Sequence, residues 1–172
     1  FNIKNNKKNF IDVETIFKTN KLKINSKELK KFINFDYNLI KDQDINLDSN
    51  NKINFSLDKK NTINDLKIKS FLKFDKLVVN YKSNRIKKII LDYNNQIYTA
   101  DNYIEIDYSE DKTLIKGDGK FSFNNKLEKY KIEFLNTKNK FDFNGFFDLK
   151  NIQIKIDKIS YKKENNDFST FN

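Results

Sequence analysis

Residues 114–123 read Leu-Ile-Lys-Gly-Asp-Gly-Lys-Phe-Ser-Phe, and residues 141–149 read Phe-Asp-Phe-Asn-Gly-Phe-Phe-Asp-Leu. Each stretch admits two readings. Asp118-Gly119 and Asn144-Gly145 have the composition of two-residue hairpin turns, which would cut each stretch into two short strands. The apolar positions favour one long strand instead. Ile115, Gly117, Gly119, Phe121 and Phe123 are all odd-numbered, as are Phe141, Phe143, Gly145, Phe147 and Leu149. Alternate side chains share one face of a strand, so a turn would have to break a parity that the sequence keeps. The glycines then mark a bulge or a close backbone approach.

The same period of two runs through most of the chain. It is carried by Ile53, Phe55 and Leu57; Leu66 and Ile68; Leu77, Val79 and Tyr81; Ile89, Leu91 and Tyr93; Ile104, Ile106 and Tyr108; Tyr130, Ile132 and Phe134; and Ile152, Ile154 and Ile156. Lys, Asp, Asn, Gln and Ser fill the intervening positions, the pattern of half-buried strands with one wet face. Breaks fall at Asn50-Asn51, Lys59 to Asn61, Ser83-Asn84, Asn94-Asn95, Glu110 to Lys112, Asn124-Asn125 and Thr137 to Asn139. Asn and Asp tolerate the left-handed turn conformation without glycine, so neighbouring strands are expected to be antiparallel. In the first quarter Ile11, Val13, Thr15 and Phe17 alternate, then Leu22 and Ile24. One short helix is expected at Lys27 to Ile33, capped by Ser26, with Leu29, Phe32 and Ile33 at helical spacing. No linker divides residues 1–161, which read as a single continuous β segment, and 162–172 read as a polar, frayed tail.

Composition removes many chemistries. The 172 residues include no Cys, His, Met, Trp or Pro, so imidazole and thiol catalysis, disulfides and the usual zinc sites are excluded. Of 34 cations only Arg85 is arginine, and the formal charge is +10. Base readout depends mainly on guanidinium forks, and the lysines alternate with acids, as in Lys4 to Asp12 and Lys155 to Lys158. Lys, Asn, Ile and Phe have A/T-rich codons, whereas Ala and Arg occur once each, so codon bias accounts for much of the charge. No nucleic-acid partner is expected. The paired carboxylates Glu105/Asp107 and Asp42/Asp44 lie among lysines on wet positions, where nothing would raise a pKa, and no enzyme activity is expected of them. An oxygen cluster at Asp42, Asp44 and Asp48 is a weaker option for a hard cation. No metal or cofactor is expected. No window reaches the roughly 18 apolar residues of a spanning helix, and a start at Phe1 without a leader pattern reads as a piece of something longer.

A sheet with one apolar face and at most one short helix needs something to cover that face. A second sheet, closure into a barrel or trough, or an apolar ligand would each do so. The stripe Phe121, Phe123, Phe134, Phe141, Phe143 and Phe147 would be core in a closed sandwich or solenoid and wall in an open groove.

The run Phe55 to Tyr81, the glycine-punctuated strand 114–123 and the run 141–152 resemble the repeats of the AsmA-like family, which includes the TamB-like and related bridge-like proteins of the Gram-negative envelope. A short helix between strands, such as Lys27 to Ile33, is similar to that family too. The likeness covers residues 10–161; glycine is scarcer here, and the anchor helix of a complete member is missing from this sequence. The lipopolysaccharide-transport β-jellyroll family has a similar texture. The AsmA-like resemblance implies an all-β, long curved antiparallel sheet forming a U-shaped groove or open jellyroll. It further implies a periplasmic, non-enzymatic conduit shielding the acyl chains of phospholipids, or of another acyl-chain lipid, between inner and outer membranes. Anchoring to the inner membrane and membrane contact would come from parts outside this chain, with other envelope proteins as possible partners. In that mechanism, parity assigns Leu66, Ile68, Leu77, Val79, Ile89, Leu91, Ile104, Ile106, Ile132, Phe134, Ile154 and Ile156 to the groove lining. A one-residue register slip would exchange every assignment. The alternative function is a closed β-sandwich or solenoid acting as a structural or interaction module of the envelope.

Overall fold

The computed structural model describes residues 2–6, 10–28, 39–124, 126–167 and 169–171. The chain is all-β. Strands β1 (Asn2–Asn6), β2 (Phe10–Asn25), β3 (Asp44–Leu57), β4 (Ile63–Asn80), β5 (Gln96–Ser109), β6 (Lys112–Ser122), β7 (Glu128–Thr137) and β8 (Lys140–Asp148) lie side by side in chain order. Every neighbouring pair is antiparallel. Two further strands, β9 (Ile154–Ile156) and β10 (Tyr161–Lys163), form a separate hairpin, and β11 (Thr170–Phe171) returns to pair with β8. Seven long strands thus stand between two short edge strands, and the sheet is open rather than closed into a barrel. Among the described residues no helix is long and apolar enough to cross a membrane.

Strands β6 and β8 run unbroken through Asp118-Gly119 and Asn144-Gly145, so neither dipeptide is a hairpin turn. Close approach explains two of the glycines. A Cβ on Gly119 would lie 3.1 Å from the carbonyl oxygens of Ala100 and Asp101 and from Asn102 Oδ1, and one on Gly145 would lie 2.9 Å from the Phe147 ring. The true turns use Asn and Asp. Asn61 is left-handed at φ 60, while Asp58 Oδ1 accepts from the amides of Lys60 and Thr62 at 2.8 and 2.9 Å. Those amides, that of Thr62 foremost, hold the Asp58 carboxyl below its ordinary range.

Registers place alternate side chains in rows across the sheet. One row runs Phe17, Asn51, Ser70, Ile106, Ile115, Phe134, Phe143; the next runs Thr19, Ser49, Leu72, Ile104, Gly117, Ile132, Gly145. Three left-handed residues, Lys21, Asp65 and Asp101, stand where the register shifts by one. Each is an inserted residue that lets parity change without moving the apolar set to the other face. That is why the apolar positions pass from odd to even at Leu22, Leu66 and Ile104.

Four expectations change. Ile89, Leu91 and Tyr93 are not a strand: Asn84–Ile89 is helix α1, followed by a turn. Helical residues occur at 26–28, while 29–33 of the expected helix lie outside the described residues; with Asn84–Ile89 and a single 3-10 turn at Asp157–Ile159, the described residues hold three short helical segments where one was expected. Ile154 and Ile156 belong to the β9–β10 hairpin instead of the main sheet. The tail is not simply frayed, because β10 and β11 carry residues 161–163 and 170–171 into pairing.

Candidate apolar binding site

The core is concentrated at one end of the sheet. Helix α1 begins at Ser83, whose Oγ accepts from the Ile86 amide at 3.3 Å, and Lys87 and Lys88 occupy its last turn, where cations suit the helix dipole. Ile86 and Ile90, four residues apart, turn to the sheet and pack on a cluster of Tyr93, Phe121, Phe123, Ile152 and Ile154. Ile90 bridges to Ile154, and the Leu91 amide donates to the Gln153 carbonyl at 3.2 Å, fastening the helix end to the start of β9. Within the cluster Phe121 meets Phe123 and Phe147 edge-on, with centroids 5.6 and 5.7 Å apart, and Tyr93 meets Phe123 the same way at 5.5 Å. Such edge contacts add about 0.5–1.5 kcal/mol each beyond burial.

Polar groups lock the connection between β8 and β9 over this core. Glu128 Oε1 accepts from the Asn151 amide at 2.6 Å, and Asn124 Nδ2 donates to Asp92 and to the Asn151 carbonyl, both at 2.9 Å. Lys163, only 3% exposed, donates its ammonium to the carbonyls of Lys150, Ile152 and Glu164 at 3.0–3.1 Å. Three carbonyl partners offset much of the cost of taking that cation out of water.

Between this cap and the sheet lies a cavity of about 470 Å³ with no polar surface. Ile89 and Ile90 close one side, Ile97, Thr99, Phe121, Tyr130 and Phe147 form the sheet wall, and Leu149, Ile154 and Ile156 complete it. Its two hydroxyl-bearing residues are turned to other work. Thr99 Oγ1 donates to the Leu77 carbonyl at 3.2 Å, and Tyr130 Oη donates to Asn102 Oδ1 at 2.8 Å. Burial, helped by the charge of Asp118, pushes the Tyr130 phenol up to about 12, so it remains a protonated donor. Water entering this space would find no partners, whereas a hydrocarbon would lose nothing. A larger depression of about 770 Å³ over β6–β8 differs in character, with Lys116, Asp118, Lys131 and Glu133 among its lining residues. Lys116 pairs with Glu133 at 3.6 Å across its strands, so that surface suits water.

The residues assigned to a groove by parity fall into three places. Leu66, Ile68, Ile104, Ile106, Ile132 and Phe134 share the apolar face of the main sheet, and Leu77 and Val79 join it beside Thr99 and Ile97. Ile154 and Ile156 line the cavity from the β9 side, and Ile89 lines it from the end of α1. Leu91 is exposed in the turn after the helix. Part of the same face is polar: Thr19 and Ser49 hydroxyls meet at 2.9 Å, Asn51 Nδ2 donates to Ser49 at 2.8 Å, and Ser49 and Asn51 are buried. Parity alone could not show that interruption over β2 and β3. Sequence also missed α1, although Ser83 followed by Ile86, Ile89 and Ile90 is a helix signal. The carboxylates are dispersed: Asp42 pairs with Lys27, Asp44 with Lys23, and Asp48 accepts from the Lys21 amide. Among the described residues no three acidic side chains gather as a metal site would require. No protein-family model matches this chain, and neither a curated protein nor a solved structure matches it.

Proposed function

We propose that this chain is a non-enzymatic lipid-carrying segment that shields acyl chains of phospholipid, or of another acyl-chain lipid, against its apolar sheet face. The observation that carries this reading is the cavity of about 470 Å³ that exposes no polar surface although Thr99 and Tyr130 line it. Each buried methylene contributes about 0.8 kcal/mol, so a chain entering the cavity gains from every carbon while no hydrogen bond fixes its position. That combination suits a carrier, which must release what it holds. The resemblance to AsmA-like repeats adds the setting: the periplasm, movement between inner and outer membranes, and anchoring through parts outside this chain.

Detergent-free purification followed by mass spectrometry of co-extracted lipid tests the proposal, with a basic β-protein of similar size as control. Stoichiometric phospholipid is expected, and it should fall several-fold in the Ile156→Asp variant, which charges the cavity wall. A lipid-free, cooperatively folding chain overturns the reading in favour of a structural or interaction module.

A further inference from the structure

Between Asp75 and Asp92 the chain carries five cations, Lys76, Lys82, Arg85, Lys87 and Lys88, and no acid. Three of them lie on α1. On the sheet, by contrast, Lys116 pairs with Glu133 at 3.6 Å and Lys120 with Asp101 at 2.7 Å. Among the described residues no carboxylate pairs with Arg85, Lys87 or Lys88, and all three are exposed. The helix holds them outward. It turns about 100° per residue, so with Ile86 and Ile90 seated on the core, Lys88 points away from it and Arg85 and Lys87 stand to either side. Apolar side chains interrupt this charge. Ile89 is 41% exposed although it also lines the cavity, and Leu91, in the turn after the helix, is 47% exposed. The neighbouring hairpin adds exposed Ile159, in the turn that joins its strands, and exposed Tyr161, directly opposite Ile156 in register. Opposed residues share a face, so Tyr161 lies on the side of β9 from which Ile156 lines the cavity.

We propose that the outer surface of this cap docks on an anionic lipid bilayer, with α1 lying in the headgroup layer. Unpaired cations mixed with exposed apolar side chains on one fixed surface suit that partner. Lipid phosphates take the charges of Arg85, Lys87 and Lys88, while Ile89 and Leu91 leave water. Nucleic acid would satisfy the charges and leave the apolar side chains wet. The inference goes beyond the carrier reading, which places membrane contact outside this chain, and it brings the α1 side of the cavity to the bilayer surface.

The chain contains no tryptophan, so Leu91→Trp supplies a single fluorescent reporter. On vesicles of phosphatidylcholine mixed with phosphatidylglycerol its emission should shift to the blue and be quenched by brominated acyl chains. Lys60→Trp, in the turn at the opposite end of β4, should not respond. Phosphatidylcholine alone should give no shift, and added salt should weaken binding. The double variant Lys87→Gln/Lys88→Gln, still melting cooperatively, should raise the vesicle Kd about 10- to 30-fold. Absence of a Leu91→Trp shift on the mixed vesicles overturns the proposal, as does equal binding to phosphatidylcholine alone or a double variant that binds as tightly as the unaltered chain. A preference for random duplex DNA over the vesicles at matched salt assigns the charge to nucleic acid and overturns it too. Co-extracted lipid reads the cavity separately. A lipid-free chain whose Leu91→Trp emission shifts keeps this surface and loses the carrier reading, and a lipid-loaded chain without the shift does the reverse.

Discussion

Phe121 on β6 and Phe123 just past its end are 5% and 8% exposed, whereas Phe141 and Phe143 on β8 are 68% and 56% exposed. All four belong to one odd-numbered aromatic stripe, three of them on strands of the same sheet. What separates them is the cap of α1 and the β9–β10 hairpin, which covers the ends of β5–β8 near Phe121 and leaves the far end of β8 bare. Burial here is therefore a property of what arrives over the sheet and not of the strand itself. The same difference is why the covered end holds an apolar cavity while the opposite end of β8 leaves Phe141 and Phe143 exposed.

The contrast can be broken most strongly at Ile152, which is fully buried in the cap. Ile152→Ala should cost about 2–5 kcal/mol in urea unfolding, while Ile63→Ala, on an exposed part of the same sheet, should cost under about 1 kcal/mol. Equal losses would mean that the uncovered face is packed in solution. Next in size is Lys163→Met, which retains the stem but strips donors from three carbonyls. A loss of about 1–3 kcal/mol is expected, with faster hydrogen exchange confined to residues 149–164; uniform exchange across the sheet would show that the cap is not a separate unit.

A smaller effect of opposite sign is expected at Tyr93. Its hydroxyl is buried without a hydrogen-bond partner among the described residues, and burial holds the phenol above its usual pKa. Tyr93→Phe should leave thermal stability unchanged or raise it by up to about 1 kcal/mol; a clear loss would reveal a partner for the hydroxyl.

The smallest effect is electrostatic and belongs to the exposed surface. Hydrogen bonding by Lys23, then by Asn25, lowers the pKa of Asp44, and hydrogen bonding by Lys120 does the same for Asp101. A carboxyl whose folded pKa lies below its unfolded value contributes stability above the unfolded value, here near 3.8, and loses it as pH falls through the folded one. Melting temperature should accordingly decline slightly below that pH. The Asp44→Asn variant should show a shallower decline, and salt should flatten both curves.

Most of the sheet was legible because alternation is local. The odd-numbered series through Gly117 and Gly119 favoured a long strand over a turn before any contact was known, and Asn-rich breaks marked the antiparallel connections. The lining was legible only where strands stay regular. Ile104, Ile106, Ile132 and Phe134 could be assigned by parity, but Ile97 and Thr99 reach the cavity face only because the Asp101 bulge changes parity within β5. Ile89 and Leu91 were misread because Ile-Ile-Leu in isolation satisfies a strand, and the helix is revealed by Ile86 and Ile90 packing against the core.

Sequence by itself determined an all-β chain with one apolar face, since the side-chain period of an extended backbone is set by its own geometry. Tertiary structure decided which part of that face is covered and which polar atoms turn away from the cavity. Those outcomes depend on contacts between residues far apart in the chain, as when the Lys163 ammonium meets the carbonyl of Ile152, and no local pattern encodes them.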